Sequence, residues 1–222
     1  MATARERLLA AVKQNGDSIM TACQSFKHDK EIIIEAVKTS VDALLWAADE
    51  LRDDFTVVQA AVFANGRALR YTFKLRDNRD IVMQAVFNDG NALQFASSRL
   101  REDFELVLVA IMNNPLAIQY AADVIRNDRK MMLYAIKHNA LCIKCASKTL
   151  LSDPAFIRTA IEKNSDAVQY LPKPMQNDPQ LRPLIIAATA SRKNVLEGFD
   201  IVEPCINCLE GFDMIEVSTY GH

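Results

Sequence analysis

Two Cys-x-x-Cys pairs, Cys142–Cys145 and Cys205–Cys208, together have the ligand count of a tetrahedral zinc site, and thiols at this spacing can also serve redox chemistry. About 60 residues separate the pairs. When the chain is aligned on its own internal repeats, Cys142 falls where other segments carry Ala68, Ala92 and Ala117. Cys145 falls where they carry Tyr71, Phe95 and Tyr120. The first pair is therefore expected to be buried packing, with metal binding by Cys142, Cys145, Cys205 and Cys208 as the alternative. The histidines His28, His138 and His222 are scattered and build no Cys-His or Ser-His-Asp arrangement. A phosphate loop, a His-Glu-x-x-His helix and a Gly-rich dinucleotide turn are also missing from the sequence. The expectation is a protein that is not an enzyme and uses no cofactor.

A second set of residues could hold anions. Lys27, Arg52, Arg76, Arg101 and Arg126 share one repeat position, so stacking the repeats would line them up along one edge, where guanidinium groups can hold phosphates or carboxylates. Against this stand the acids that follow them, as in Arg52-Asp53, Arg76-Asp77 and Arg101-Glu102, with which each is expected to pair. The formal net charge of -2 and a scarcity of exposed aromatics argue the same way. Nucleic-acid binding along this ladder is thus the lesser reading. A third set lies in the tail, where LEGFDIVE from Leu196 is echoed by LEGFDMIE from Leu209, each with an aromatic residue, Phe199 and Phe212, beside acids. Two readings stand for it: a small β-hairpin that caps the last repeat, or an acidic, aromatic-bearing segment that docks on a partner, including another copy of the chain.

The elements that must position these groups repeat every 25 residues or so. The small residue after an apolar-x-aromatic step recurs at Ala47, Thr72, Ala96, Ala121 and Ala146, with Leu171 closing the series. Upstream of it recur AAVKQNG, EAVKTSV, AAVFANG, QAVFNDG, VAIMNNP, YAIKHNA and TAIEKNS, which counts seven units. Within the third unit, Val57, Val58, Ala61 and Val62 make one helical stripe, which stops at Asn65-Gly66. That pair suits the left-handed conformation that ends helices, and apolar spacing resumes at Ala68, Leu69 and Thr72, so each unit is expected to be a short helical hairpin. Asp29, Asp54, Asp103, Asp128, Asp153 and Asp178 open units and are placed to cap the helix that follows.

The emerging pattern, D-x-x-V-V-x-x-A-V-x-x-N-G-x-A-L-x-Y-A-x-x-x-L-R-x-D, with segments such as QAVFNDGNALQFASSRLRED from Gln84, resembles the tandem helical repeats of the domain of unknown function 4116 family over roughly residues 5–178. The resemblance implies an all-α repeat fold and carries no catalytic residue. The turn glycine gives way to Val41, Pro115, Ala140 and Ser165 in four units, so the turn is not expected to be uniform. Pro172 and Pro174 are expected to shorten the second helix of the seventh unit, followed by one closing helix from Leu181 to about Ser191. Trp46, Met112, Met131 and Met132 sit at helical spacing and are expected in the core.

This gives an all-α solenoid over residues 1–191 and a capping or docking tail over 192–222. At 50% hydrophobic and 24% charged residues the chain can bury a core, and its start reads as neither signal peptide nor membrane span. Five cysteines, an odd number, fit a reducing, cytoplasmic setting. The expected function is a protein–protein interaction scaffold or structural subunit that holds a protein or peptide. Self-association through the tail is a further expectation, with a thiol, metal or catalytic role as the rival class.

Overall fold

The computed structural model describes residues 2–197, with side chains through residue 190. The Cys205–Cys208 pair, His222 and the duplicated tail motif with Phe199 and Phe212 lie outside the described residues, and with them the choice between a hairpin cap and a docking segment. Seven units stack in chain order. Their first helices are Ala4–Gln14, Lys30–Thr39, Phe55–Ala64, Arg79–Asn88, Phe104–Asn113, Arg129–His138 and Pro154–Lys163. Each is about three turns long and too short to persist alone, so it depends on its neighbours. Four residues are buried in each first helix from the second unit on, in the third unit Val57, Val58, Ala61 and Val62, whereas Ala4–Gln14 buries only Val12. The central alanine of that set recurs at Ala36, Ala61, Ala85, Ala110, Ala135 and Ala160, and its small side chain lets backbones approach closely.

The rest of the unit is not the second arm of a hairpin. It is a six-residue 3-10 helix followed by a separate helical turn, for example Gly66–Tyr71 and Lys74–Asp77. In 3-10 geometry residues three apart eclipse, which puts Gly66 and Leu69 together on the buried face. The spacing Ala68, Leu69, Thr72 fits either helix type, so the sequence could not separate them. The second unit departs: its chain turns at Val41 and Asp42 and forms a short α-helix, Ala43–Trp46. The small residue that marks the repeat leaves the 3-10 helix in extended conformation and is buried, as at Ala96, Ala121 and Ala146.

The glycines have another purpose than the one expected. No glycine or other described residue has positive φ. Asn65 is extended, and its side chain accepts the Arg67 amide, starting the 3-10 helix rather than ending the α-helix in a left-handed turn. Gly66 is small because a Cβ there would lie 2.3 Å from the carbonyl oxygen of Ala85 in the next unit, and Gly90 meets Ala110 in the same way. Nor do the prolines shorten the seventh unit. Its 3-10 helix Ser165–Tyr170 keeps six residues and its last turn Lys173–Gln176 keeps four, with Pro172 at the cap and Pro174 in the first turn, where no amide is needed. The closing helix runs Arg182–Glu197, past the expected end near Ser191, and seats Leu184 and Ile185 against the last unit, with Leu181 buried in the turn before it. No described helix is long and apolar enough to cross a membrane.

Candidate interaction surface

The basic ladder is real as a column, and its main chain is already engaged. Lys27, Arg52 and Arg126 end the third segment of their units, and Arg76 and Arg101 lie one residue short of that end. The carbonyls of Lys27, Arg76, Arg101 and Arg126 accept the amides of Ala48, Ser97, Ala122 and Ser147 in the following unit. The side chains do not pair with the acids that follow them. Arg52 pairs with Asp49 and Arg126 with Asp123, one turn back. Arg76 donates to the carbonyls of Leu69 and Arg70, and Arg101 to Ser98 Oγ. The following acids turn instead to the next unit: Asp53 accepts the amides of Phe73 and Lys74, and Asp77 accepts Ser97 Oγ and Arg99. Among the described residues, the buried side-chain nitrogens without a partner are the Nε atoms of Arg52, Arg101 and Arg126. The cavities beside them are also lined by Asp49, Glu50, Asp53, Glu102 and Asp123, so the edge is close to neutral. Aromatics are less scarce here than expected: Trp46 lies under Lys27, and exposed Phe73 sits between Arg52 and Arg76.

Cys142 is fully buried on the inner face of its 3-10 helix, its thiol donating to the Pro115 carbonyl at 3.3 Å. Burial pushes that thiol up to about 12, which opposes the thiolate that a metal or a nucleophile requires. Cys145 is half-buried and also raised by burial. Among the described residues no three His, Cys, Asp or Glu side chains gather as metal ligands.

A second ladder, unread in the sequence, runs along the N-terminal ends of the first helices. One carboxylate oxygen of Asp29 accepts the amides of Glu31 and Ile32, and the other accepts Arg5 of the preceding unit at 2.7 Å. Lys30 reaches Asp54, Arg79 reaches Asp103 and Arg129 reaches Asp153 in the same way. Arg5 holds Asp29 below the usual carboxylate range. At Asp103 burial works the other way, and the Leu106 amide with Arg79 outweighs it. This ladder joins units.

The face that is not used up lies on the outside of the first helices. Phe63, Phe87 and Met112 occupy one position in units three, four and five and are 75%, 75% and 65% exposed. That places Met112 outside the core, where it had been expected, as is half-exposed Trp46; Met131 and Met132 are buried as expected. The helices themselves explain the exposure. FTVVQAAVFA and FELVLVAIMN are apolar nearly all round, a composition suited to complete burial, yet each has only one side against the stack. A groove of about 700 Å³ runs beside the column between units two and three, floored by Ile34 and Ala60 and edged by Lys38 and Phe63.

The family model described as Domain of unknown function (DUF4116) matches residues 5–52, 29–76, 78–126 and 128–176. The chain belongs to this family. No curated protein and no solved structure matched the chain. The DUF4116 windows coincide with physical joints: 29, 78 and 128 are helix caps, 52, 126 and 176 end third segments, and 76 is one residue short of such an end. Each window therefore holds two of the units seen here, and the overlap of the first two reflects a stack of seven. Within this DUF4116 chain the apolar column was readable in principle. Phe63, Phe87 and Met112 replace Lys38 and Lys137 of the flanking units, a change that helical periodicity marks as outward-facing.

Proposed function

We propose that the chain is a non-catalytic interaction scaffold, in which the stack is a rigid frame and the outer face of units three to five is where a protein or peptide partner binds. The observation that carries this reading is the column Phe63–Phe87–Met112 on adjoining helices. Single exposed apolar residues are ordinary on a protein surface, whereas aligned ones beside a groove mark a contact site. Covering all three would contribute roughly 4–6 kcal/mol before the costs of association, enough for binding to depend on them. The basic edge supports the reading less well, since Arg52, Arg76 and Arg126 already meet acids or carbonyls of their own units. A cytoplasmic setting suits the free thiols.

The test is affinity capture from native lysate with the intact chain and with F63D/F87D. The two aspartates stand at exposed positions, so circular dichroism and melting should be unchanged while a partner held by the intact chain is lost. A partner held equally by both removes the column from the function. Retention lost instead when Lys27, Arg52 and Arg76 are replaced by alanine would move the site to the basic edge.

A further inference from the structure

The apolar column does not run the length of the stack. At the same helical position it is preceded by Lys13 and Lys38 and followed by Lys137 and, in unit seven, Glu162, all exposed, so the apolar centre has a cation at each border. Such a face complements a segment whose apolar side chains lie between carboxylates. The sequence beyond the closing helix has that composition. From Val195 to Tyr220 it holds Glu197, Asp200, Glu203, Glu210, Asp213 and Glu216 and neither lysine nor arginine, and twice it sets Phe-Asp and two further apolar residues between glutamates. Lys38 pairs with Glu35 on its own helix, an exposed contact that is easily exchanged for another carboxylate.

Reach is sufficient within one molecule. The closing helix packs on unit seven, and Met112 ends the first helix of unit five but one residue. With neighbouring helices about 9 Å apart, Met112 is roughly 27 Å and Phe63 roughly 45 Å away along the stack. The chain from Glu197 to Phe212 can span up to about 50 Å. We propose that residues 198–216 of the same molecule cover the Phe63–Phe87–Met112 column, steered by Lys38 and Lys137, so that a partner must displace the chain's own tail. This rests on the scaffold reading and adds its regulation.

Met112 is the reporter, because a covered thioether oxidises more slowly. The full-length chain is treated with hydrogen peroxide and sulfoxide formation followed by mass spectrometry. Exposed Met20, on a 3-10 helix away from the column, and buried Met132 are internal controls. An effective tail concentration near 1 mM against an affinity of about 0.1 mM makes Met112 about tenfold slower to oxidise in the unaltered chain than in F199S/F212S or K38E/K137E. Met20 should be unchanged and the ratio independent of protein concentration. Equal Met112 rates in all three chains overturn the proposal, as does protection that fades on dilution, which would assign the covering tail to a second copy. The lysine variant sits on exposed helix positions and keeps the test readable if the tail variant misfolds. An unprotected Met112 in a chain whose partner is still lost on F63D/F87D removes the self-covering and leaves the scaffold standing.

Discussion

At the scale of single residues, type was readable and purpose often was not. Aspartate at the start of a unit announces a cap, and Asp29, Asp54, Asp103, Asp128 and Asp153 all accept amides of the helix that follows. The second oxygen was hidden, because its partner lies about 24 residues upstream and is recognisable only once the units are stacked. Glycine was misread for the same reason: its constraint is a carbonyl of the next unit, not its own φ. Gly90→Ala should therefore destabilise the chain by about 1–3 kcal/mol through overpacking against Ala110. Ser165→Ala, at the equivalent but exposed position of the last unit, should stay within about 0.5 kcal/mol. Urea midpoints compare the two, and equal costs would refute the close-approach account. The caps also set acid sensitivity. Asp29, Asp54, Asp103 and Asp153 are all held below their ordinary value in the folded chain, so the stabilisation they give is present above about pH 4 and is lost as pH falls through their depressed values. Melting temperature should be level from about pH 7 to 5 and drop below about 4. D29N/D103N should start lower and lose less in acid; an unchanged acid slope would show that these caps are not the titrating groups.

At the scale of elements, the first helix of every unit could be read from its inward stripe, while the second half could not. Six residues give too few periods to distinguish 3.0 from 3.6 residues per turn, and the i→i+3 bonds from Ala68 to Asn65 and from Thr72 to Leu69 decide it only in three dimensions. The candidate surface was half-visible. The nearly all-apolar helix of unit five was in plain view, yet an apolar helix is ordinarily core, and only the one-sided stack leaves Met112 outside. Besides the buried stripe and the cation–aspartate ladder, an amide bridge joins one first helix to the next: Asn113 Nδ2 donates to the Phe87 carbonyl at 2.9 Å while its Oδ1 accepts the Gly90 amide at 2.8 Å. Asn88 makes the corresponding donation to Val62 and Phe63. Asn113→Ala should cost about 1–3 kcal/mol, since it strands a part-buried amide and a carbonyl at once. Asn113→Asp should recover the acceptor but not the donor and fall between. If both variants melt with the unaltered chain, water replaces the bridge and the seam rests on apolar contact and the Arg79–Asp103 pair.

At the scale of the whole molecule, each unit touches its sequence neighbours, so stability is close to a sum of unit and seam terms and the ends decide where unfolding starts. The two ends differ. Unit one starts with the capping box of Thr3 and Glu6 and is tied to unit two by Arg5–Asp29 and by Thr39 Oγ1 to the Val12 carbonyl. Unit seven relies on the closing helix and the turn before it, through Leu181, Leu184, Ile185 and Ala188, to cover the side chains that an eighth unit would otherwise bury. Those four positions were readable as an apolar stretch, but their task as a lid follows only from the stack. A chain ending at Asp178 should therefore lose hydrogen-exchange protection first in Pro154–Lys163 and Ser165–Tyr170, with Arg129–His138 weakened less and Phe55–Ala64 unchanged. A chain ending at Glu197 should keep all of them. This gradient separates a nearest-neighbour stack from a single cooperative core: uniform loss across all seven units on removal of the lid would mean that the units fold as one block, and that the outer face of units three to five cannot be altered without regard to the ends.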